Sequence, residues 1–209
     1  LDGANLVGAT FNECNMNGAR FHGAKIPPGA GFVKSDLRGA SFRGSIVQRA
    51  VFQGCATAGI DFGGATLKDV ALMGSDLTKA NFAGASLEKV VLSGSDLSGQ
   101  VFAGMELRYC QFHKSKLVGV SFIGARLVSC GFIEADLTDA DLSSVDAPMG
   151  FFAKAVMKRA RMTGANLERA GFLEADLEEA NFSASKLQES IFQKAKAEDR
   201  VIVTMDVGF

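Results

Sequence analysis

From Ser75 to Leu97 the sequence reads SDLTKANFAGASLEKVVLSGSDL, and Leu77, Phe82, Leu87, Leu92 and Leu97 fall five residues apart. Neither a helix, with a period of 3.6, nor a strand, with a period of 2, generates that spacing. A small or apolar residue (Ser75, Ala80, Ala85, Val90, Ser95) stands two before each of these centres. The step runs from Phe32 to Phe192 without a gap, and only Thr57 and Ala147 break the large apolar rule. Upstream, Leu1, Leu6, Phe11, Met16, Phe21 and Ile26 keep the same step. One extra residue lies between Ile26 and Phe32, and its Pro-Pro-Gly surroundings at 27–31 read as a bulged turn.

Other residue types follow the same frame. All four cysteines (Cys14, Cys55, Cys110, Cys130) stand two before a centre. They are expected as small, reduced core thiols, not metal ligands or disulfides, because no CxxC pair occurs. Of the 24 glycines, 17 fall two after a centre, where a turn with positive φ favours them. Beyond about residue 129 that place holds Glu134, Asp139, Lys154, Arg159 and similar residues, which predicts a different class of turn there.

The units Ala4-Asn5-Leu6, Ser35-Asp36-Leu37, Ser75-Asp76-Leu77, Ala80-Asn81-Phe82, Ala135-Asp136-Leu137 and Ala165-Asn166-Leu167 resemble the A(D/N)LXX pattern of the pentapeptide repeat family. The resemblance extends over essentially residues 1–196. It implies an all-β fold, a right-handed quadrilateral parallel β-helix with four pentapeptides per coil. Centres twenty apart then share a side, and the sequence tests this independently. Phe42, Phe62, Phe82, Phe102 and Phe122 fall in one column, and Phe52, Phe112, Phe132, Phe152 and Phe172 in the opposite one. With the insertion allowed for, 15 of the 17 phenylalanines occupy these two columns, so a twenty-residue coil is real.

About ten coils spaced at about 4.8 Å would make a rod of roughly 45–50 Å. Stacking, not any single coil, supplies its core. A charge in that core, as in Phe82→Asp, is expected to cost several kcal/mol. The expected organisation is one β-helix over 1–196, with an irregular seam at 143–152 where Ala147 and Pro148 interrupt the pattern. A short β-prone capping or closing strand is expected at 197–209. The repeat is already running at Leu1, which suggests a longer natural chain.

Little here suits chemistry. His22 and His113 stand apart without carboxylate or thiol partners at a ligand or catalytic spacing, and no nucleophile elbow or phosphate loop is present. No catalytic, cofactor-binding or metal-binding residue is assigned, and the chain is read as a non-enzyme. A net charge of −1 argues against direct nucleic-acid binding. No stretch of 18 apolar residues would span a membrane. Free core thiols favour a reducing, cytoplasmic setting.

What remains is surface. Beside the centres of the Phe32 column, the flanking residues include Val33, Val51, Met73, Val91, Gln111, His113, Ile133, Phe151, Leu173 and Ile191. The eighteen flanking positions from Gly31 to Gln193 hold no Asp, Glu, Lys or Arg, where a composition 22% charged would place about four. That strip is the candidate interaction face, for a protein partner, a neighbouring domain or a second copy in a homodimer. The adjacent side carries an acidic ladder of Asp36, Asp76, Asp96, Asp136 and Asp176. The resemblance gives such residues a role in the turn.

Two functions follow from these surfaces. The first is a non-enzymatic protein–protein interaction scaffold, for which family resemblance suggests an accessory protein of bacterial type VI secretion or a regulatory factor of photosynthetic or heterocyst-forming bacteria. The alternative, also from resemblance, is a DNA-mimicking binder of DNA gyrase or topoisomerase IV that protects against quinolones. The near-neutral charge and a ladder interrupted by Lys116 and Lys196 favour the first.

Overall fold

The computed structural model describes residues 1–197. Nine short strands occur among the described residues: β1 (Thr10–Asn12), β2 (Lys25–Ile26), β3 (Gly31–Val33), β4 (Ile46–Gln48), β5 (Val51–Gln53), β6 (Thr66–Lys68), β7 (Ser86–Glu88), β8 (Glu106–Arg108) and β9 (Arg126–Val128). None exceeds three residues, because each five-residue unit must also turn a corner. Among the described residues there is no helix. The chain divides into two compact units, Leu1–Asp96 and Leu97–Phe209.

In the first unit, β1, β3 and β5 pair in parallel, as do β2, β4, β6 and β7. In the second, β8 pairs with β9 in parallel, and the other sides are joined by isolated bridges such as Lys116↔Asp136 and Asp136↔Val156. Partners stand twenty residues apart, which makes each unit a parallel β-helix with four sides per coil. Across 27–31 the step becomes twenty-one, as in Phe11↔Phe32 and Lys25↔Ile46. Gly29, at φ 94°, and an Ala30 N–H donating to Pro27 O at 3.3 Å accommodate the extra residue. Strand triplets are fewer than ten coils would supply. Where a unit closes as a turn, as with Ala80 N–H to Leu77 O at 3.0 Å, only the residue before the centre is left to pair.

The predicted change of turn class is corrected in its main point. Gly39 and Gly94 have φ of 64° and 67°, and Glu134, Asp139 and Lys154 have φ of 58°, 58° and 57°. Glycine and charged residues therefore occupy the same left-handed third place of the turn, as in a type II turn. What ends near residue 129 is the strand triplet: β9 is the last among the described residues, followed by Ser129 at φ 52°. The extended variant of the unit, and not glycine, distinguishes the two stretches.

The core is a ladder of rings. Within the first unit Phe21 stacks on Phe42 (centroids 4.5 Å, planes 4° apart) and Phe32 on Phe52 (4.7 Å, 7°). Within the second, Phe132 lies between Phe112 at 4.9 Å and Phe152 at 5.1 Å. The two columns also meet edge to face, as with Phe32 and Phe42 at 5.7 Å and 86°. Full burial of each ring contributes about 1.5–3 kcal/mol, and the ring contacts add to it. Phe42, Phe52, Phe62, Phe82, Phe102, Phe112, Phe122, Phe132, Phe152 and Phe172 are all buried, whereas Phe192 at the last described coil is exposed.

The cysteines divide. Cys110 and Cys130 are buried free thiols, while Cys14 and Cys55 are only half-buried, a correction to the expected core position for all four. Cys55 Sγ donates to Phe32 O at 3.2 Å. A hydrogen bond with Cys110, then burial, pushes the Cys130 thiol well above its usual range. Through 143–152 the rungs run on, with Asp146 bridged to Asn166 and Phe151 to Gly171. A cleft of about 250 Å³ opens beside it, lined by Pro148, Met149, Glu168, Arg169, Gln188 and Glu189. Gly150 stands where the rungs on either side carry Cys130 and Ala170; a Cβ there would lie 2.6 Å from Phe152 Cε2. The expected closing strand at 197–209 lies, apart from Ala197, outside the described residues.

Candidate interaction face

On every side of the coil, the residue before a centre pairs through its backbone and turns its side chain outward. On the Leu37 side that residue is most often Asp, and Asp or Asn recurs on two further sides; its carboxylate or amide oxygen accepts from the N–H two residues on. Asp76 Oδ1 accepts from Thr78 N at 3.1 Å, Asp61 from Gly63 N at 2.8 Å, and Asn181 from Ser183 N at 2.9 Å. This Asx geometry holds the corner. On the side centred by Phe32 and Phe132, the same place is taken by Gly31, Val51, Ala71 and Val91 in the first unit. In the second it is taken by Gln111, Gly131, Phe151, Gly171 and Ile191. None of the aliphatic or aromatic members can serve the turn in that way, so their side chains are free for contact.

Their exposure varies. In the first unit Val51 is 43% and Met73 54% exposed, while Val33 and Val91 are half-buried. In the second unit Ile133 is 39%, Phe151 55%, Leu173 37% and Ile191 56% exposed. Gln111 is also exposed, and His113 is half-buried with Nδ1 3.0 Å from Ile133 O. The ten candidate residues thus form two outward strips, one on each unit. Each strip is apolar at its middle and free of charge.

The acidic ladder is otherwise engaged. Asp36 Oδ1 accepts from both Arg38 N (3.1 Å) and Arg38 Nε (2.9 Å), and the Arg38 guanidinium holds the Asp36 carboxyl down to about 2. Asp136 Oδ1 accepts from Thr138 N at 3.0 Å, and Asp176 Oδ2 lies 3.4 Å from Lys158 Nζ. Asp76 and Asp96 bridge one another through their backbones. The carboxylates of Asp36, Asp76, Asp136 and Asp176 thus face their own turns or cations.

One set of residues escaped sequence reasoning. Along the edge of the second strip, at the third place of successive turns, stand Lys114, Glu134, Lys154, Glu174 and Lys194. Lys114 Nζ is 3.5 Å from Glu134 Oε2, and Lys154 Nζ is 3.8 Å from Glu174 Oε2. The alternation is visible in the sequence once that place is followed at a step of twenty. His22 and His113 take part in no metal cluster among the described residues, where no group of three or more potential ligands converges. No helix among the described residues is long and apolar enough to cross a membrane.

Two family profiles match the chain. One, described as a pentapeptide repeat region, matches residues 45–122, and the other, pentapeptide repeats (8 copies), matches 1–26, 106–143 and 135–172. Together these take in more than half of the sequence. Among solved structures the chain is similar to HetL, a pentapeptide repeat protein involved in heterocyst differentiation regulation from the cyanobacterium Nostoc sp. strain PCC 7120. Identity is 20%, over 96% of this chain and 92% of that one, with a TM-score of 0.47. It is also similar to QnrB1, a plasmid-mediated fluoroquinolone resistance protein (18% identity, 94% and 90% covered, TM-score 0.41). A pentapeptide repeat protein of the Arabidopsis thaliana thylakoid lumen matches over 55% of this chain and 69% of its own (27% identity, TM-score 0.23). No curated protein matches.

Proposed function

The chain belongs to the pentapeptide repeat family, and from that premise we propose that it is a non-enzymatic scaffold whose uncharged side docks another protein. One observation carries the reading: in each unit a strip with exposed apolar side chains and no Asp, Glu, Lys or Arg takes the place where Asp or Asn recurs on the other three sides. Exposed side chains as large as Phe151 and Ile191 stand there without a charge among their flanking neighbours. Contiguous apolar surface of this kind marks contact. Four free thiols suit a reducing cytoplasm.

The acidic ladder lends less to a DNA-like surface that would occupy gyrase or topoisomerase IV. Its carboxylates accept from their own turns, and Arg38 and Lys158 neutralise two of its rungs. The test is a comparison of wild type with the Val91→Lys, Ile133→Lys double variant as baits in extract of the source cells. A protein retained by wild type and lost by the variant is expected. Identical capture by both, with the variant folded by circular dichroism, overturns the docking reading.

A further inference from the structure

The strip of the second unit has two alternations with one period. Along the column before the centres, Gln111, Gly131, Phe151, Gly171 and Ile191 alternate large and small, each bridged to the next. Along the edge, Lys114, Glu134, Lys154, Glu174 and Lys194 alternate in charge. Both repeat every second rung. A surface whose relief and charge both invert on moving one rung is complementary to itself, provided the second surface runs in the opposite direction and is displaced by an odd number of rungs.

We infer that a second copy of the chain covers this strip. The copies run antiparallel about a two-fold axis that lies midway between the rungs of Gly131 and Phe151. This rests on the docking reading above and gives it an occupant. The axis sets Phe151 of each copy over Gly131 of the other, where the Gln111 amide forms a flat seat. A Cβ on Gly131 would lie 2.6 Å from Gln111 Oε1, so only glycine leaves that seat low. It sets Ile133 against Ala153, and Leu173 against His113.

Along the edge, Glu134 meets Lys154 and Lys114 meets Glu174, each twice by symmetry. On the opposite edge the same axis brings Arg169 of each copy, whose Nε also donates to Glu189 at 2.8 Å, to the exposed Tyr109 ring of the other, a cation–π pairing. An axis passing through the Phe151 rung instead opposes Phe151 to itself and Glu134 to Glu174. One rung further along, the ladders again alternate, but Arg169 then meets only Met149. A parallel arrangement sets the charged edge against Tyr109, Ser129, Met149, Arg169 and Glu189, which do not alternate in sign.

Rungs about 4.8 Å apart match in both copies, so the contacts keep step along the strip. The patch is only about 20 Å long over these rungs, which places it among small, reversible interfaces.

The experiment is sedimentation velocity on wild type from about 10 to about 1,000 µM, with two charge variants. Glu134→Lys with Glu174→Lys makes the paired rungs all positive; Lys114→Glu with Lys154→Glu makes them all negative. Lys and Glu already occupy these left-handed places at φ between 56° and 58°, so neither exchange strains the fold. Wild type is expected to dimerise with concentration. Each variant alone is expected to do so at least about tenfold more weakly, since like charges oppose at every edge contact, and the equal mixture to recover wild-type affinity. A disulfide between chains carrying Ile133→Cys and Ala153→Cys is expected; one formed only between Ala153→Cys and Leu173→Cys chains overturns the axis.

Dimers that ignore the charge exchanges overturn the antiparallel register. Wild type that stays monomeric at the highest concentration overturns the second-copy assignment. The docking reading falls separately, and only if the double variant captures the same proteins as wild type.

Discussion

The two uncharged strips differ in pairing, with the triplets β3 and β5 on the first and single bridges on the second, and they differ again at the turn beside them. In the first unit the third position of the turn beside the strip is Lys34, Gly54, Gly74 and Gly94; in the second it is Lys114, Glu134, Lys154, Glu174 and Lys194. The glycines have φ of 62° to 67° and the charged residues of the second strip 56° to 58°. The left-handed conformation costs an L-residue roughly 1–2 kcal/mol and glycine nothing. An exposed ion pair contributes about 0–1 kcal/mol, so the pairs within one chain do not offset that strain. Asp139, Arg159 and Glu179 bear the same strain on the adjacent side. What sets the second strip apart is therefore the order of signs beside an apolar surface. The conformation of the corner is fixed by the repeat, and the side chain it carries is left free for the surface.

The largest effect tests whether the two units are packed alike. Phe132→Ala removes a ring stacked on Phe112 and Phe152 and edge-on to Phe122 at 5.8 Å. Phe42→Ala does the same beside Phe21 and Phe62. Urea unfolding is expected to show a loss of about 3–5 kcal/mol for each. A loss below about 1 kcal/mol in one unit alone would break the likeness of the cores.

A smaller effect sharpens the contrast at the turns. A Cβ on Gly94 meets nothing within 4 Å, so Gly94→Lys is expected to cost only the backbone strain of about 1–2 kcal/mol. Lys154→Gly in the second unit is expected to move stability the opposite way, by less, because it also removes the contact with Glu174 and frees the unfolded chain. Melting temperatures that fall for both variants would mean that the charged turns are held by more than the repeat.

The smallest effect is in acid. Arg38 lowers the Asp36 carboxyl from its ordinary 3.8 to about 2, so the folded state binds that proton less readily than the unfolded one. Its contribution is complete above pH 3.8 and is lost as the pH falls towards about 2. Asp36→Asn should flatten the stability profile in that interval and leave it unchanged near pH 7. The pair in the second unit, Asp139 with Arg159 Nε at 2.7 Å, also depresses its carboxyl, so Asp139→Asn should act in the same direction. An unaltered acid slope in Asp36→Asn would remove the Arg38 pairing as its source.

Much of this was legible because the repeat makes sequence distance stand for spatial distance. Phe42 and Phe62, twenty apart, stack at 5.4 Å, and the residue added before Phe32 appears as a twenty-one-residue rung. The edge-to-face contact of Phe32 with Phe42 was not legible, because it joins opposite sides across the coil, where ring size and not spacing decides the meeting. Turn class is not legible in Glu134 and its successors, because residue preference differs from conformation here and the repeat imposes positive φ on whatever side chain arrives. The strip could be read from Val51 to Ile191 by its lack of charge. Its edge, Lys114 to Lys194, is legible only at a step of twenty.

The twenty-residue step also governs how such a chain tolerates change in length. A duplication of twenty residues returns each later side chain to the side it left, and adds one rung to every column. A duplication of five turns all that follows by a quarter of a coil, so that Phe151 would move onto the acidic side while every centre stayed apolar. Folding would barely register the difference. A binding partner would meet an unrelated surface, which makes insertions of five the silent route by which a repeat of this kind changes its associations.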